Sequence, residues 1–361
     1  MAEELGINRR KRTCATMPVH RRLLNRDPAY RLRREEIENL TLARKRARGR
    51  GRAGTTLIPI VVHVVYRNLT ENISAEQVAS QISAMNEDFA GRNLDVHSAP
   101  SVWRGVIGDA RIVFKLADRD PYGAVTSGIT RTSTSSAAFG DDDAVKSAAA
   151  GGANAWPADS YLNIWVCHLQ DLLGYAQFPG GPAETDGVVI DYKAFGTNGT
   201  AEAPFNLGRT ATHEVGHWLN LFHIWGDDGT GCTGTDQVDD TPNQAGPNTG
   251  IPAFPHVTCD NAPNGDMFVN FMDYVDDRCM VMFTIGQVER MHAALDVVRS
   301  SFSVEVKPQP DPTAVWLHTD LTSAARAPDA AGDPVVAASA DGKLCVLYLG
   351  VDHHIHALRA P

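Results

Sequence analysis

Thr212–His223 reads THEVGHWLNLFH, and the rest of the 361-residue chain is read outward from it. Residues four apart on a helix lie one turn above each other on the same face. His213 and His217 can therefore present two imidazoles to one metal ion, with zinc the expected occupant, and Glu214 stands beside them as a candidate general base. His223 lies too far along to join them if the helix simply continues, so the chain must turn after Leu219. Asn220 stands where that turn is needed. Asparagine is the best-tolerated substitute for glycine in the left-handed region, which predicts a positive φ at Asn220. The plain alternative, a surface helix that happens to carry histidines, leaves the third histidine unexplained.

Composition bounds the rest. The chain is 43% hydrophobic and 21% charged, ordinary for a globular protein. No apolar run approaches the ~20 residues of a membrane-spanning helix, and no membrane partner is expected. The first residues, MAEELGINRRKR, lack the apolar core of a signal peptide. The net charge of −10 hides an asymmetry: residues 1–54 hold 16 of the 33 Lys and Arg and 6 of the 43 acids, giving +10 there and −20 in the remainder. A basic arm on an acidic body is either a nucleic-acid tail or a pro-segment that leans on the body. No aromatic interleaving or nucleic-acid motif supports the first, so a pro-segment is expected and no nucleic-acid partner.

Along the chain, one charged helix is expected from Pro28, ending in the Gly/Arg-rich run Arg44–Gly54 that is open to proteolysis. Upstream of it Cys14 is the arm's only cysteine. It is either incidental or a thiol that fills an open zinc position. Leu57–Tyr66 reads as a buried β-branched strand, followed by a helix capped at Ser74 and running to about Ala90. Further strands are expected at Ala110–Leu116, Tyr161–His168, Leu173–Phe178 and Gly187–Tyr192. Thr126–Ala150 reads as loop with a helix over Asp142–Ala149. Thr284 can cap a helix to about Ser300. The pattern is a mixed α/β layer leading into the His213 helix.

After His223 comes a long loop carrying six aspartates between Asp227 and Asp260. Such a loop needs staples. Oxygen ligands at Asp236, Asp239, Asp240 and Thr241 would suit calcium, although the spacing is not an EF-hand and a solvated acidic loop is the alternative.

Through HEVGHWLNLFH, CTGTDQVDDTP, NFMDYVDDRCM and FTIGQ, residues 57–300 resemble the metzincin zinc endopeptidases, within them the ulilysin-like pappalysins. The resemblance implies an α/β (α+β) zincin fold: a twisted, mostly parallel sheet with an antiparallel edge strand, an active-site helix and a Met-turn subdomain. It implies zinc on His213, His217 and His223, Glu214 as base and acid, Met272 as Met-turn floor and Tyr274 as oxyanion donor. Leu173–Phe178 becomes the edge strand that pairs with an extended peptide or protein substrate. Asp277 matches a position linked to Arg or Lys after the scissile bond, where a carboxylate would hold a guanidinium; a surface or calcium-linked aspartate is the alternative. If the pocket reading holds, the Arg-rich run is a self-cleavage site. Cys14 matches a cysteine switch, with Ala15 in place of the common glycine. Cys232 and Cys259 match one family disulfide. Cys279 lacks its expected partner, whose position is Ile251, and is free or paired with Cys167. Disulfides suit a secreted protein.

The expected organisation is a basic pro-segment at 1–54, a catalytic domain at 55–303, a linker at 304–312 and a β tail at 313–361. The tail resembles one truncated tectonin-like repeat, with possible glycan contact. Its His353, His354 and His356 read as strand residues. A non-catalytic, metal-stabilised binding protein using its acidic face or tail is the competing function. Glu214 argues against it, because a structural zinc site needs no base.

Overall fold

The computed structural model describes residues 11–46, 52, 54–302 and 304–305, and in the C-terminal region residues 335–338, 344–349 and 355–359. Two compact units result, Met1–Lys307 and Pro308–Pro361. The first opens with two helices, α1 (Thr16–Arg26) and α2 (Pro28–Arg46). The sequence led to α2 alone; α1 is a short additional helix of which Thr16 and Val19 are buried.

The sheet is built around β1 (Thr55–Tyr66), buried without interruption from Ile60 to Val65 because both of its faces are covered. Two strands follow one another along one edge of β1, both parallel to it: β2 (Ile112–Leu116) against Thr56–Ile60, then β3 (Ile129–Ser133) against Val62–Tyr66. The Ser/Thr-rich composition around β3 read as loop. It forms a strand because its β-branched residues meet the length of β1 that β2 leaves unpaired. On the other edge the order runs β4 (Leu162–Cys167), β6 (Val188–Asp191), then β5 (Gly174–Ala176), which is antiparallel to β6 and closes the edge nearest the His213 helix.

The helix expected over Asp142–Ala149 is instead two 3-10 turns, Ala144–Lys146 and Ala148–Ala150, with extended Ser147 between them. Asp143 enters at φ +66, and Lys146 is pulled inward, 2.8 Å from Asp143 and 2.7 Å from the Thr185 carbonyl. Those contacts cost the segment its helical register.

Helix α3 (Ala75–Phe89) starts on Ser74, whose side chain accepts from the Gln77 N–H. Its apolar face meets the sheet, and Phe89 packs edge-on against Phe114, 5.0 Å between ring centres. Burying such a ring contributes on the order of 2–3 kcal/mol. Helix α4 (Arg209–Trp218) crosses beneath the sheet edge and is buried along its whole length. Beyond it a long loop contains the short parallel pair β7 (Thr249–Gly250) and β8 (Tyr274–Val275). Helix α5 (Ile285–Val297) starts with a capping box between Thr284 and Gln287, worth about 1 kcal/mol. The expected linker begins inside the fold, since β9 (Val304–Glu305) pairs antiparallel with the start of β1.

In the second unit β10 (Val335–Ala338), β11 (Leu344–Leu349) and β12 (Ile355–Arg359) form an antiparallel sheet in that order. Residues 306–334, the Asp341–Gly342 turn, His353 and His354 lie outside the described residues, as do 47–51 of the Arg-rich run.

Candidate active site

Helix α4 is anchored at its first turn. Arg209 pairs with Asp88 and, at 2.8 Å, with Asp95, while Thr212 donates to Asp88 at 2.6 Å. At the other end the chain reverses as the spacing requires. Asn220 has φ +75, and the Leu221 N–H returns to the Gly216 carbonyl at 2.9 Å. This left-handed close carries the next residues back under the helix, and His223 arrives beside His213 and His217.

The three rings are wired alike. His213 Nδ1 faces the Phe271 carbonyl, His217 Nδ1 the Leu221 carbonyl and His223 Nδ1 the Asp227 carboxylate, each at 2.7 Å. These partners only accept, so each Nδ1 carries the proton and each Nε2 keeps a bare lone pair. The Nε2 atoms nevertheless converge: His217 Nε2 lies 3.2 Å from that of His213 and 3.1 Å from that of His223. Three lone pairs at that separation repel unless a cation lies among them. Nitrogens about 2.0–2.1 Å from one tetrahedral centre would be about 3.3 Å apart, so the donor set fits zinc. Burial and the neighbouring imidazoles hold the pKa values of His213 and His217 well below the ordinary range, keeping both rings neutral. Cys14 Sγ joins the group, all four ligand atoms lying within 4.8 Å of one another.

Met272 is buried against α4 at Gly216. A Cβ on Gly216 would come within 2.6 Å of the Met272 sulfur, which is why the helix carries glycine there. The Tyr274 ring packs 5.0 Å from His223, and its hydroxyl donates to the Cys14 carbonyl at 3.5 Å. Glu214 is buried against β5: a Cβ at Gly174 would meet its side chain at 3.0 Å. Burial pushes its carboxyl up to about 7, against the pull of hydrogen bonds from Thr16 and Cys14 and of the Arg12 charge.

Residues 12–16 fill the cleft. The Leu173 N–H donates to the Thr13 carbonyl at 3.0 Å and the Ala15 N–H to the Gly174 carbonyl at 3.1 Å, so the segment pairs with the sheet edge. Thr16 Oγ1 donates to Glu214 at 2.8 Å while accepting from the Ala176 N–H at 2.7 Å. Arg12 uses all three guanidinium nitrogens: Nη2 to Asp277 at 2.6 Å, Nη1 to Thr210 Oγ1 at 3.0 Å and Nε to the Val275 carbonyl at 3.3 Å. The Phe205 ring lies 4.9 Å from its centre. Asp277 is fully buried and also receives the Leu207 N–H at 2.7 Å. Sequence reasoning singled out Cys14 and Asp277 but not Arg12, Thr16, Thr210, Phe205 or Asp227. The one legible signal was Arg12 two residues before Cys14, matching the cation to the acid.

Of the residues expected to hold calcium, Asp236 and Thr241 lie together and Asp240 faces the start of α5. Asp240 gives both oxygens to the start of α5, to Thr284 Oγ1 at 2.6 Å and the Gly286 N–H at 2.8 Å. Asp236 is buried against Thr241, 2.8 Å away, with its carboxyl pushed up to about 7. Among the described residues the Cys14–histidine cluster is the one group of three or more His, Cys, Asp or Glu side chains whose ligand atoms converge. The acidic loop is stapled by the Cys232–Cys259 disulfide, and Asp266 gathers Thr258 and Asn261, each at 2.7 Å. Cys167 and Cys279 are both free.

The profile of the Peptidase_M43 family, described as pregnancy-associated plasma protein-A, matches residues 147–296. An extracellular metalloprotease of Verticillium alfalfae is 34% identical over 250 residues, covering 66% of this chain and 75% of that protein. The chain belongs to the M43 (pappalysin) family of metallopeptidases. Among solved structures this pappalysin is similar to Tannerella forsythia mature mirolysin in complex with a cleaved peptide, at 55% identity and TM-score 0.68, covering 69% of this chain and 96% of that one. A Tannerella forsythia promirolysin mutant is 50% identical with TM-score 0.74, covering 80% and 96%. The mostly parallel sheet with its antiparallel edge strand is the fold they share.

Proposed function

We propose that this pappalysin is a secreted zinc endopeptidase, made as a latent zymogen, that cleaves peptide bonds preceding arginine or lysine. The observation that carries the metal reading is the common wiring of His213, His217 and His223, each Nδ1 committed and each Nε2 turned to one point. These three would hold zinc, and Cys14 would complete the donor set in the latent form. When bound, zinc supplies a Lewis acid that polarises the scissile carbonyl and acidifies water.

The remaining work falls to the chain. With residues 12–16 withdrawn, the Leu173 N–H and Gly174 carbonyl are free to pair with an extended substrate. Glu214 accepts a proton from the attacking water and returns it to the leaving amine; its raised pKa suits both steps. Tyr274, released from the Cys14 carbonyl, can donate to the developing oxyanion. The Arg12 site describes the substrate side chain. Three acceptors and a ring fit a guanidinium better than an ammonium, so arginine is favoured over lysine. Latency is supported by the triple occupation of pocket, metal donors and base by Arg12, Cys14 and Thr16. It is also supported by the larger share of this chain matched by promirolysin than by the mature enzyme. Secretion is supported by the Cys232–Cys259 disulfide and by the extracellular relative.

The test is hydrolysis of a quenched Arg-containing peptide by wild type and Glu214→Ala, with and without chelator, and mass spectrometry of the N-terminus. Wild type alone, without chelator, is expected to cleave. Equal rates from both proteins would sink the peptidase mechanism, and full activity with an intact N-terminus would sink latency.

A further inference from the structure

A second guanidinium–carboxylate contact lies behind the Asn220 turn, away from the cleft. Arg290 of α5 is buried, and its Nε donates to the Asn220 carbonyl at 2.7 Å. Its Nη2 donates to both oxygens of Glu38 in α2, at 2.8 and 2.7 Å. Asn220 Nδ2 donates to the same carboxylate at 3.1 Å, and the Phe222 ring lies 4.8 Å from the Arg290 guanidinium. Arg34, also from α2, completes the set at 2.7 Å.

The contact divides unevenly when α2 is taken away. Glu38 and Arg34 leave together. Arg290, Asn220 and Phe222 stay, because they belong to the catalytic body. Among the described residues Glu38 is the only carboxylate paired with Arg290. Arg290 then loses its ion-pair partner and two charge-assisted hydrogen bonds. Arg290 is also held in direction by its bond to the Asn220 carbonyl and by the ring beside it.

We propose that Arg290, Asn220 and Phe222 form a carboxylate-binding site, filled by Glu38 in the latent chain and open to other carboxylates once α2 departs. A planar monoanion fits: one cation remains, one neutral amide donor stands beside it, and the third wall is apolar. A phosphate would bring more charge than a single guanidinium can match. The later opening rests on residues 11–46 being removable. The site itself does not, and it can be tested in the intact chain.

Glu38→Ala empties the site in place, and a Glu214→Ala background prevents self-processing. Thermal midpoints are read in sodium acetate, chloride and phosphate at matched ionic strength. Glu38→Ala should melt lower than its parent, and tens of millimolar acetate should raise it saturably by about 2–4 °C. Chloride and phosphate should not, and acetate should leave both the parent and Glu38→Ala/Arg290→Gln unmoved. No acetate effect on Glu38→Ala, or the same effect after Arg290→Gln, overturns the site; an equal effect of phosphate overturns the carboxylate assignment. If Glu38→Ala does not fold, the isosteric cycle of Glu38→Gln, Arg290→Gln and the double variant replaces it. Strong non-additivity is expected there, and additive midpoint losses overturn the proposal.

Discussion

Among the contacts that fix the N-terminal segment to the catalytic body, two have their charges reversed relative to each other. In the cleft the segment brings the cation, Arg12, and the body the acid, Asp277, with both side chains 1% exposed. Behind the Asn220 turn the segment brings the acid, Glu38, and the body the cation, Arg290, with Glu38 still 26% exposed. The first contact occupies groups that do chemistry, whereas the second touches none of them. In the proposed latent form, the residues that fill the cleft therefore differ from those that seat α2 behind the Asn220 turn. Their effects should separate under mutation.

The sharpest test of that separation needs a baseline. Glu214→Ala should lower kcat/KM of the processed enzyme by about 10³-fold or more, whatever is done at Arg12 or Glu38, measured on an Arg-containing peptide. Next in size, Arg12→Ala leaves Asp277 as a buried, unpaired acid, a loss of about 3–5 kcal/mol to the plugged state. It should raise hydrolysis by the unprocessed chain at least ~10²-fold. Glu38→Ala should raise it far less. The reverse order would break the comparison.

Asp277→Asn in the processed enzyme should cut preference for arginine over norleucine after the scissile bond by about 10–100-fold, read as a ratio of kcat/KM values. The smallest effect is expected at Asn220. Its left-handed backbone tolerates glycine, whereas Asn220→Ala should cost about 1–2 kcal/mol, seen as a lower urea midpoint for alanine than for glycine.

The sequence was most legible where one local rule decides the outcome. The four-residue spacing of His213 and His217 put both on one face, and the late His223 demanded the positive φ found at Asn220. β1, β4 and β6 were legible as continuous apolar runs. Strand β3 was not, because ITRTS becomes a strand only by completing the edge of β1. The plug was half legible. Cys14 was readable as a metal-seeking thiol, but Thr16 reaches Glu214 across 198 positions and Arg12 reaches Asp277 across 265, and no local pattern records such meetings. The acidic loop was legible as needing a staple, which the Cys232–Cys259 disulfide supplies. The meeting of Asp240 with Thr284 and Gly286 at the start of α5 was not, because no local pattern joins them.

The plug spreads its contacts over three separate groups. Arg12 lies against Asp277, Cys14 stands beside the three histidines and Thr16 donates to Glu214, all within five consecutive residues. An oxidant that captures the Cys14 thiol leaves the guanidinium and the hydroxyl seated, as does a thiol reagent. The backbone bonds to Leu173 and Gly174 also remain. If the chain is latent as proposed, chemical modification of Cys14 should produce graded leakage. Under the proposed latency, cutting the chain discharges all three contacts at once, so activation would fall to a protease and stay insulated from redox conditions.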